Sequence, residues 1–415
     1  MQVGPSTWSI AALVWPFGLA YAMSYALRTI HAVLSPAFVA ELGLSAGALG
    51  LLTSAYLVTF AAMQLPVGLL LDRYGPRRVE GSLLLLALLG CVLSAIAESF
   101  WLLWLGRALV GMGVSACLMA SYKAYRLAMP MRLQAPLAST MLVIGSFGAL
   151  CATLPVEWAL GWLTWREIFW VLSGCFGLAW AAIVFALPPL PSPARPTARL
   201  WADARAGLTT VMTHPEFRRL LPFALLTYGG LLAMHGLWVG PWLRVVEGQT
   251  PAEAALGIFI ITATVMGSHL LTAWLASRVD RWGWSLEVLM RVGLLAMASM
   301  TALAVLGVWP HPWLGWMLVF LAGGATTLSY TRFVQSFPEQ LSGRATTSLN
   351  FLIFLGAFLV QWGVGLLIDG FEAWGLDAPQ AMRAAMGVWV VGQVLALAWL
   401  VRPEGPRAGP APAEG

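Results

Sequence analysis

Residues 68–78 read GLLLDRYGPRR: Gly68, three leucines, Asp72, Arg73, Tyr74, Gly75, Pro76 and the pair Arg77 and Arg78. Uninterrupted apolar sequence flanks this stretch, over 46–71 before it and 79–97 after it. Each flank has the length of about 20 residues that a helix needs to cross the hydrocarbon of a bilayer. A short charged turn between two such runs is a loop at a membrane surface. No water reaches the hydrocarbon to satisfy backbone groups, so runs of this length must be helices.

The composition agrees. Of 415 residues, 60% are hydrophobic and 10% charged, with 22 tryptophans and 42 glycines. A soluble domain carries roughly 25% charged residues. An ordinary soluble enzyme, a disordered scaffold, a nucleic-acid binder and a disulfide-stapled secreted domain are thereby excluded. Cys91, Cys117, Cys151 and Cys175 lie singly inside apolar runs with no metal-ligand spacing, and read as small hydrophobes. The N-terminus lacks a basic region, short apolar core and cleavage site, so its first apolar run is expected to persist as a span.

Twelve such runs are predicted, at 10–37, 46–71, 79–97, 101–122, 136–157, 167–187, 219–243, 253–276, 286–308, 313–331, 346–368 and 381–401. Most loop arginines, Arg73, Arg126, Arg199, Arg278 and Arg344 among them, fall on one side; Arg166, Arg244 and Arg383 fall on the other. Basic loops stay cytoplasmic, which places both termini inside. Proline-rich, basic residues 188–218 form the one long polar connection. They are predicted as a cytoplasmic linker loop between two six-helix halves, 1–187 and 219–402, with 403–415 a disordered cytoplasmic tail. A degraded repeat supports the division: SRVDRWG, Ser277 to Gly283, places Asp280, Arg281 and Gly283 after the eighth run as Asp72, Arg73 and Gly75 follow the second. Duplicated halves around a midplane site are a transporter architecture.

These residues resemble the major facilitator superfamily over essentially the whole chain. Gly68, Asp72, Arg73, Gly75, Arg77 and Arg78 match its loop between helices two and three, with Pro76 a departure, and Arg107, Gly111 and Gly113 are similar to its Arg-x-x-x-Gly-x-Gly element. The resemblance implies an all-α membrane protein of twelve transmembrane helices. It also implies that the Asp72 and Arg73 cluster, with Gly68, Gly75, Arg77 and the echo at Asp280 and Arg281, latches the halves. At Gly68 the missing side chain would let a neighbouring helix approach closely.

Ionisable residues within spans are functional candidates, because each costs at least about 2.5–3.5 kcal/mol to insert. Here they are Arg28, His31, Arg107, Lys123, His235 and His269, with no Asp or Glu in the middle of any predicted span. A positive or neutral cavity follows. Tyr21, Tyr25 and Arg28 share one face of the first span. A guanidinium flanked by two phenol hydroxyls can grip a carboxylate or phosphate bidentately. This arrangement, with Pro36 beyond it, is similar to the first helix of the organophosphate/phosphate antiporters, where those side chains hold phosphate. That group has a second arginine in helix seven; at the matching offset before Pro241 stands Ala233, with His235 two positions on. One arginine suits a less charged anion, such as a carboxylate.

Lys123, the one lysine among 23 basic residues, reads either as a substrate-binding charge or as a snorkelling interface residue. Arg107, His235 and His269 are coupling candidates, each with a packing role as the alternative. Gln64, Asn350 and Gln361 either line a cavity or bond helix to helix. No phosphate-cradling loop, catalytic set or metal spacing is present, so neither ATP, cofactor nor metal is expected. The sequence predicts a monomeric, multi-pass cell-membrane protein, not an enzyme, moving a small organic anion by alternating access, with proton symport or anion exchange as the drive. Two alternatives stay open: an exporter of amphipathic compounds, and a non-transporting ligand sensor.

Overall fold

The computed structural model describes residues 9–187, 190, 200–338 and 341–402. Eleven of its helices are long and apolar enough to cross a membrane, from Ile10–Thr29 to Ala378–Val401. The expected crossing over 313–331 is also there, but broken: Leu314–Gly323 passes through a 3-10 turn, Gly324–Thr327, into Leu328–Gln335. Counting it as span 10 gives the twelve-helix fold.

Helix starts are set by side chains that satisfy the orphan N–H groups of the first turn. Ser45 opens span 2, Ala46–Tyr74, by accepting from the Ala48 N–H, and Asp377 opens Ala378–Val401 in the same way. Reciprocal Thr164/Glu167 and Thr250/Glu253 capping boxes begin spans 6 and 8. The repeated loop has a backbone cause as well. Gly75 and Gly283 both take left-handed conformations, φ 80° and 71°, which a side chain would disfavour.

Irregular winding recurs at matching places in the two halves. Span 1 changes course at Ile30, between Ile10–Thr29 and His31–Leu42. Its counterpart, span 7, carries two π-turns, Phe223–Tyr228 and Met234–Trp238, the second containing His235. Span 4 breaks between Phe100–Gly113 and Cys117–Ala128, and span 10 breaks at Gly324–Thr327. Discontinuous helices in a bilayer are tolerated where they are buried in protein or line a cavity. All four therefore mark the middle of the molecule.

The expected linker loop contains helix, and its residues 188–189 and 191–199 lie outside the described ones. Leu200–Thr213 is a helix, and Pro215–Pro222 runs directly into span 7. No Pro or Gly interrupts 200–206, and its three alanines, with leucine and arginine, favour helix. The tail at 403–415 lies outside the described residues.

Spans 2 and 11 (Ser342–Ala373) form the principal seam between the halves. Four pairs define it: Ser45 with Asp369, Thr53 with Gln361, Phe60 with Phe354, and Gln64 with Asn350. Each step along one helix is matched by an equal step back along the other, so one antiparallel register holds throughout. At the Ser45 end the helices nearly touch. A Cβ on Gly365 would stand 2.4 Å from the Ala46 carbonyl oxygen, and one on Gly50 2.7 Å from that of Gln361. Spans 1 and 7 close the same end, where Gly240 abuts Ala32.

The other end, bearing the basic loops, differs. Gly68 has no atom within 4 Å of where its Cβ would be. The close helix approach expected there is absent in this state.

Candidate functional site

Arg28 sits where the irregular part of span 1 meets the seam. Its guanidinium carbon lies 4.6 Å from the Tyr25 ring centre, 4.9 Å from that of Phe354 and 5.4 Å from that of Phe60. Three rings from both halves thus box one cation. Aromatic faces attract a guanidinium without neutralising it, which leaves its charge available. Among the described residues no carboxylate pairs with Arg28, and its Nε has no hydrogen-bond partner. The geometry departs from the expected fork: Arg28 lies over the Tyr25 ring face rather than between two phenol hydroxyls. Tyr21 packs edge-on behind Tyr25, with ring centres 5.0 Å apart. Gly145 of span 5 makes room for both rings; a Cβ there would fall 2.6 Å from Tyr21.

The C-terminal half supplies the facing wall. His235 Nε2 shares a hydrogen bond of 3.1 Å with Thr262 Oγ1, and its ring packs on Phe320. Tyr330 donates from its hydroxyl to Asn350 Oδ1 at 2.5 Å, and Asn350 Nδ2 donates to Gln64 Oε1 at 2.8 Å. Tyr228 stands edge-on to Tyr330, 6.0 Å between centres. Gln361 donates to Thr53 Oγ1 at 2.8 Å while its carbonyl accepts from Trp238 Nε1 at 3.0 Å. Asn350 and Gln361 therefore bond one half to the other, and Gln361 also borders the cleft beside Arg28. Both readings of these amides hold at once for Gln361.

Tyr56, Tyr228, Tyr330, Thr53 and Thr262 were not singled out in the sequence. Nothing in the local sequence sets them apart from the other polar residues of their spans, and only the helix rotation about its axis tells an inward one from an outward one. Arg107 is buried, 2% exposed; it donates from Nη1 to the Leu27 carbonyl at 3.3 Å and lies 5.3 Å from the Tyr56 ring centre. It borders the same cleft as Arg28. His269 is not gathered with them: it is exposed on span 8.

Lys123 is placed elsewhere too. Its ammonium meets the Asp72 carboxylate, which ties span 4 to the 68–78 loop. Arg73 turns instead to the Tyr74 ring, 5.1 Å away, and Arg77 donates to the Val184 carbonyl of span 6. In the C-terminal half a comparable tie runs from Arg332 to Glu287 at 2.9 Å. Arg281 is exposed, and the side chain of Asp280 lies outside the described ones.

At the opposite end, Asp369 of span 11 accepts from Ser45 Oγ at 2.7 Å and from the Gly47 N–H at 2.9 Å. A carboxylate from one half thus caps the first turn of a helix in the other, where it also meets the positive end of the helix dipole. In the sequence this aspartate reads only as the polar end of an apolar run.

With this geometry in view, comparison with known proteins is informative. The model of the Major Facilitator Superfamily matches residues 17–361. The chain is 29% identical over 269 residues to a probable sulfoacetate transporter, SauU, of Cupriavidus necator, a match that spans 61% of either chain. It is 28% identical over 412 residues to the hexuronate transporter of Escherichia coli K12, covering 94% of each. Among solved structures, a bacterial homologue of the human lysosomal transporter Spinster, in an inward-facing and unoccupied conformation, superposes with a TM-score of 0.74 at 18% identity, over 94% of this chain and 96% of that one. The nucleoside transporter NupG superposes with a TM-score of 0.73 at 13% identity, over 94% and 100%.

Proposed function

The chain belongs to the Major Facilitator Superfamily, as a multi-pass membrane transporter and not an enzyme, and from that premise we propose that it carries a small organic anion by alternating access. Arg28 takes the anionic group, with Tyr25 and Tyr21 supporting it and His235, Asn350 and Gln361 facing it from the other half. The observation that carries this reading is the boxed guanidinium: a buried-side cation, in the seam, with no carboxylate neutralising it. A free charge at this depth is costly unless function requires it. A carboxylate or sulfonate presents two or three oxygens that the guanidinium can hold. The similarity to sulfoacetate and hexuronate transporters supports that class. The organophosphate group would add a second arginine, and Ala233 stands at that place.

The halves, 1–187 and 219–402, rock about the seam. In the state described here the Asp369 end is shut. By the positive-inside rule the basic end is cytoplasmic, which makes this state inward-facing. Continuing the same register beyond Gln64 and Asn350 sets Asp72 opposite Ser342, the start of span 11. In the outward-facing state Asp72 therefore leaves Lys123 and caps span 11, with Arg73 and Gly68 at the contact. Exchange against a second anion, or proton symport, supplies the drive.

Thermal unfolding of purified protein against sulfoacetate, glucuronate, inorganic phosphate and nitrate tests the substrate class. Stabilisation by the first two, lost in Arg28→Ala, is the expected result. No response to any of them, or an undiminished response in folded Arg28→Ala, would contradict it.

A further inference from the structure

Beside Arg28, toward the closed end, lies a second concentration of positive charge. Arg28, His31, Thr53, Tyr56, Arg107 and Gln361 border a single cleft there. Its free volume of about 10 Å3 is that of one small particle.

The polar atoms around it are unsatisfied to an unusual degree. His31 is 1% exposed, and neither ring nitrogen has a hydrogen-bond partner. Arg107, 2% exposed, leaves Nε unpartnered, and so does Arg28. Buried polar groups in folded proteins are nearly always paired. An unpaired buried charge costs more still. No Asp or Glu borders the cleft to offset two guanidinium groups. His31 has phenylalanines on two sides, Phe38 with ring centres 5.7 Å away and Phe169 at 6.4 Å, and it borders the cleft.

We propose that this cleft binds a monatomic anion of halide size, chloride in ordinary media. A water molecule fits the volume but supplies no charge. A single anion answers both needs, accepting from several donors while neutralising the cluster. The head group of an organic substrate presents the same chemistry, but the volume favours the free ion. Bound there, the halide links spans 1, 2, 4 and 11 and so fastens the closed end. The proposal shares Arg28 with the organic-anion reading, and His31 and Arg107 are the groups particular to it.

The test is the melting temperature of the purified full-length protein as sodium gluconate is replaced by sodium chloride or bromide at constant ionic strength. The expected result is a saturable rise with either halide, abolished in Arg107→Gln and shifted to several-fold higher concentration in His31→Phe. The phenylalanine keeps the packing of the ring and removes its donors. Equal melting in gluconate and halide overturns the proposal, as does a full halide response in either variant. Should Arg107→Gln yield no folded protein, His31→Phe decides alone. Stabilisation by sulfoacetate without any by halide would assign the cleft to the substrate head group, ending this proposal and leaving the transport reading intact. Loss of the organic-anion response in Arg28→Ala with a halide response retained would separate the two sites.

Discussion

Spans 2 and 11 run in one register, yet the two ends of their contact are built differently. Near Ser45 the backbones approach through Gly50 and Gly365, and Asp369 caps a helix of the other half. Near Gly68 no neighbour is in reach, and Asp72 is spent on Lys123 within its own half. On the proposed mechanism both ends nonetheless hold the same parts: a glycine that would permit contact, and an aspartate that would cap the facing helix. The difference is one of state rather than of design. A molecule with matched devices at both ends of a seam can close either, and the middle pairs, Phe60 with Phe354 and Gln64 with Asn350, act as the pivot.

The contrast can be broken by making the same substitution at each end. Gly365→Val should overpack the shut end by about 1–3 kcal/mol, displacing the equilibrium roughly five- to 150-fold away from this state. Gly68→Val meets open space here and should leave this state as stable as before, while hindering closure at the basic end. Distances between spin labels across each end would read both. Opposite displacements are expected, and identical ones would show that the ends are not alternatives.

A smaller effect is expected from Asp369→Ala. Losing a cap costs about 1 kcal/mol, or roughly fivefold in population, in the same direction as Gly365→Val. Cysteine accessibility at the Ser45 end should increase accordingly. Smallest of all is Lys123→Gln. The pair is partly exposed, with side chains 24% and 56% accessible, and such pairs contribute about 0–1 kcal/mol. Freeing Asp72 should favour closure at the basic end, the same direction as Asp369→Ala. A shift in the opposite direction would remove Asp72 from the account.

Much of this was legible in the sequence, for physical reasons that also explain the remainder. Spans announce themselves because lipid demands long apolar runs, and the Asp-Arg-aromatic-Gly repeat exposed the duplication. Span 10 was placed, but not its break at Gly324–Thr327, since composition reports length rather than winding. The helix at Leu200–Thr213 was taken for loop because the prolines before it dominated the segment. At the site, Arg28 and Tyr25 were found by their spacing on one helix. Phe60, Phe354 and Tyr330 come from other helices, and no local pattern brings them together. Lys123 was singled out for its rarity, yet its partner is Asp72. Asp369 escaped notice because its meaning lies wholly in what it meets across the seam.

The central claim is that Arg28 holds the transported anion. Flux of labelled sulfoacetate or glucuronate into proteoliposomes, compared among wild type, Arg28→Lys and Arg28→Ala, tests it most directly. Robust saturable uptake by the wild type is predicted, with deep impairment in Arg28→Lys, which keeps the charge and loses the planar fork, and no uptake by Arg28→Ala. Uptake at the wild-type rate by folded Arg28→Ala would contradict the account.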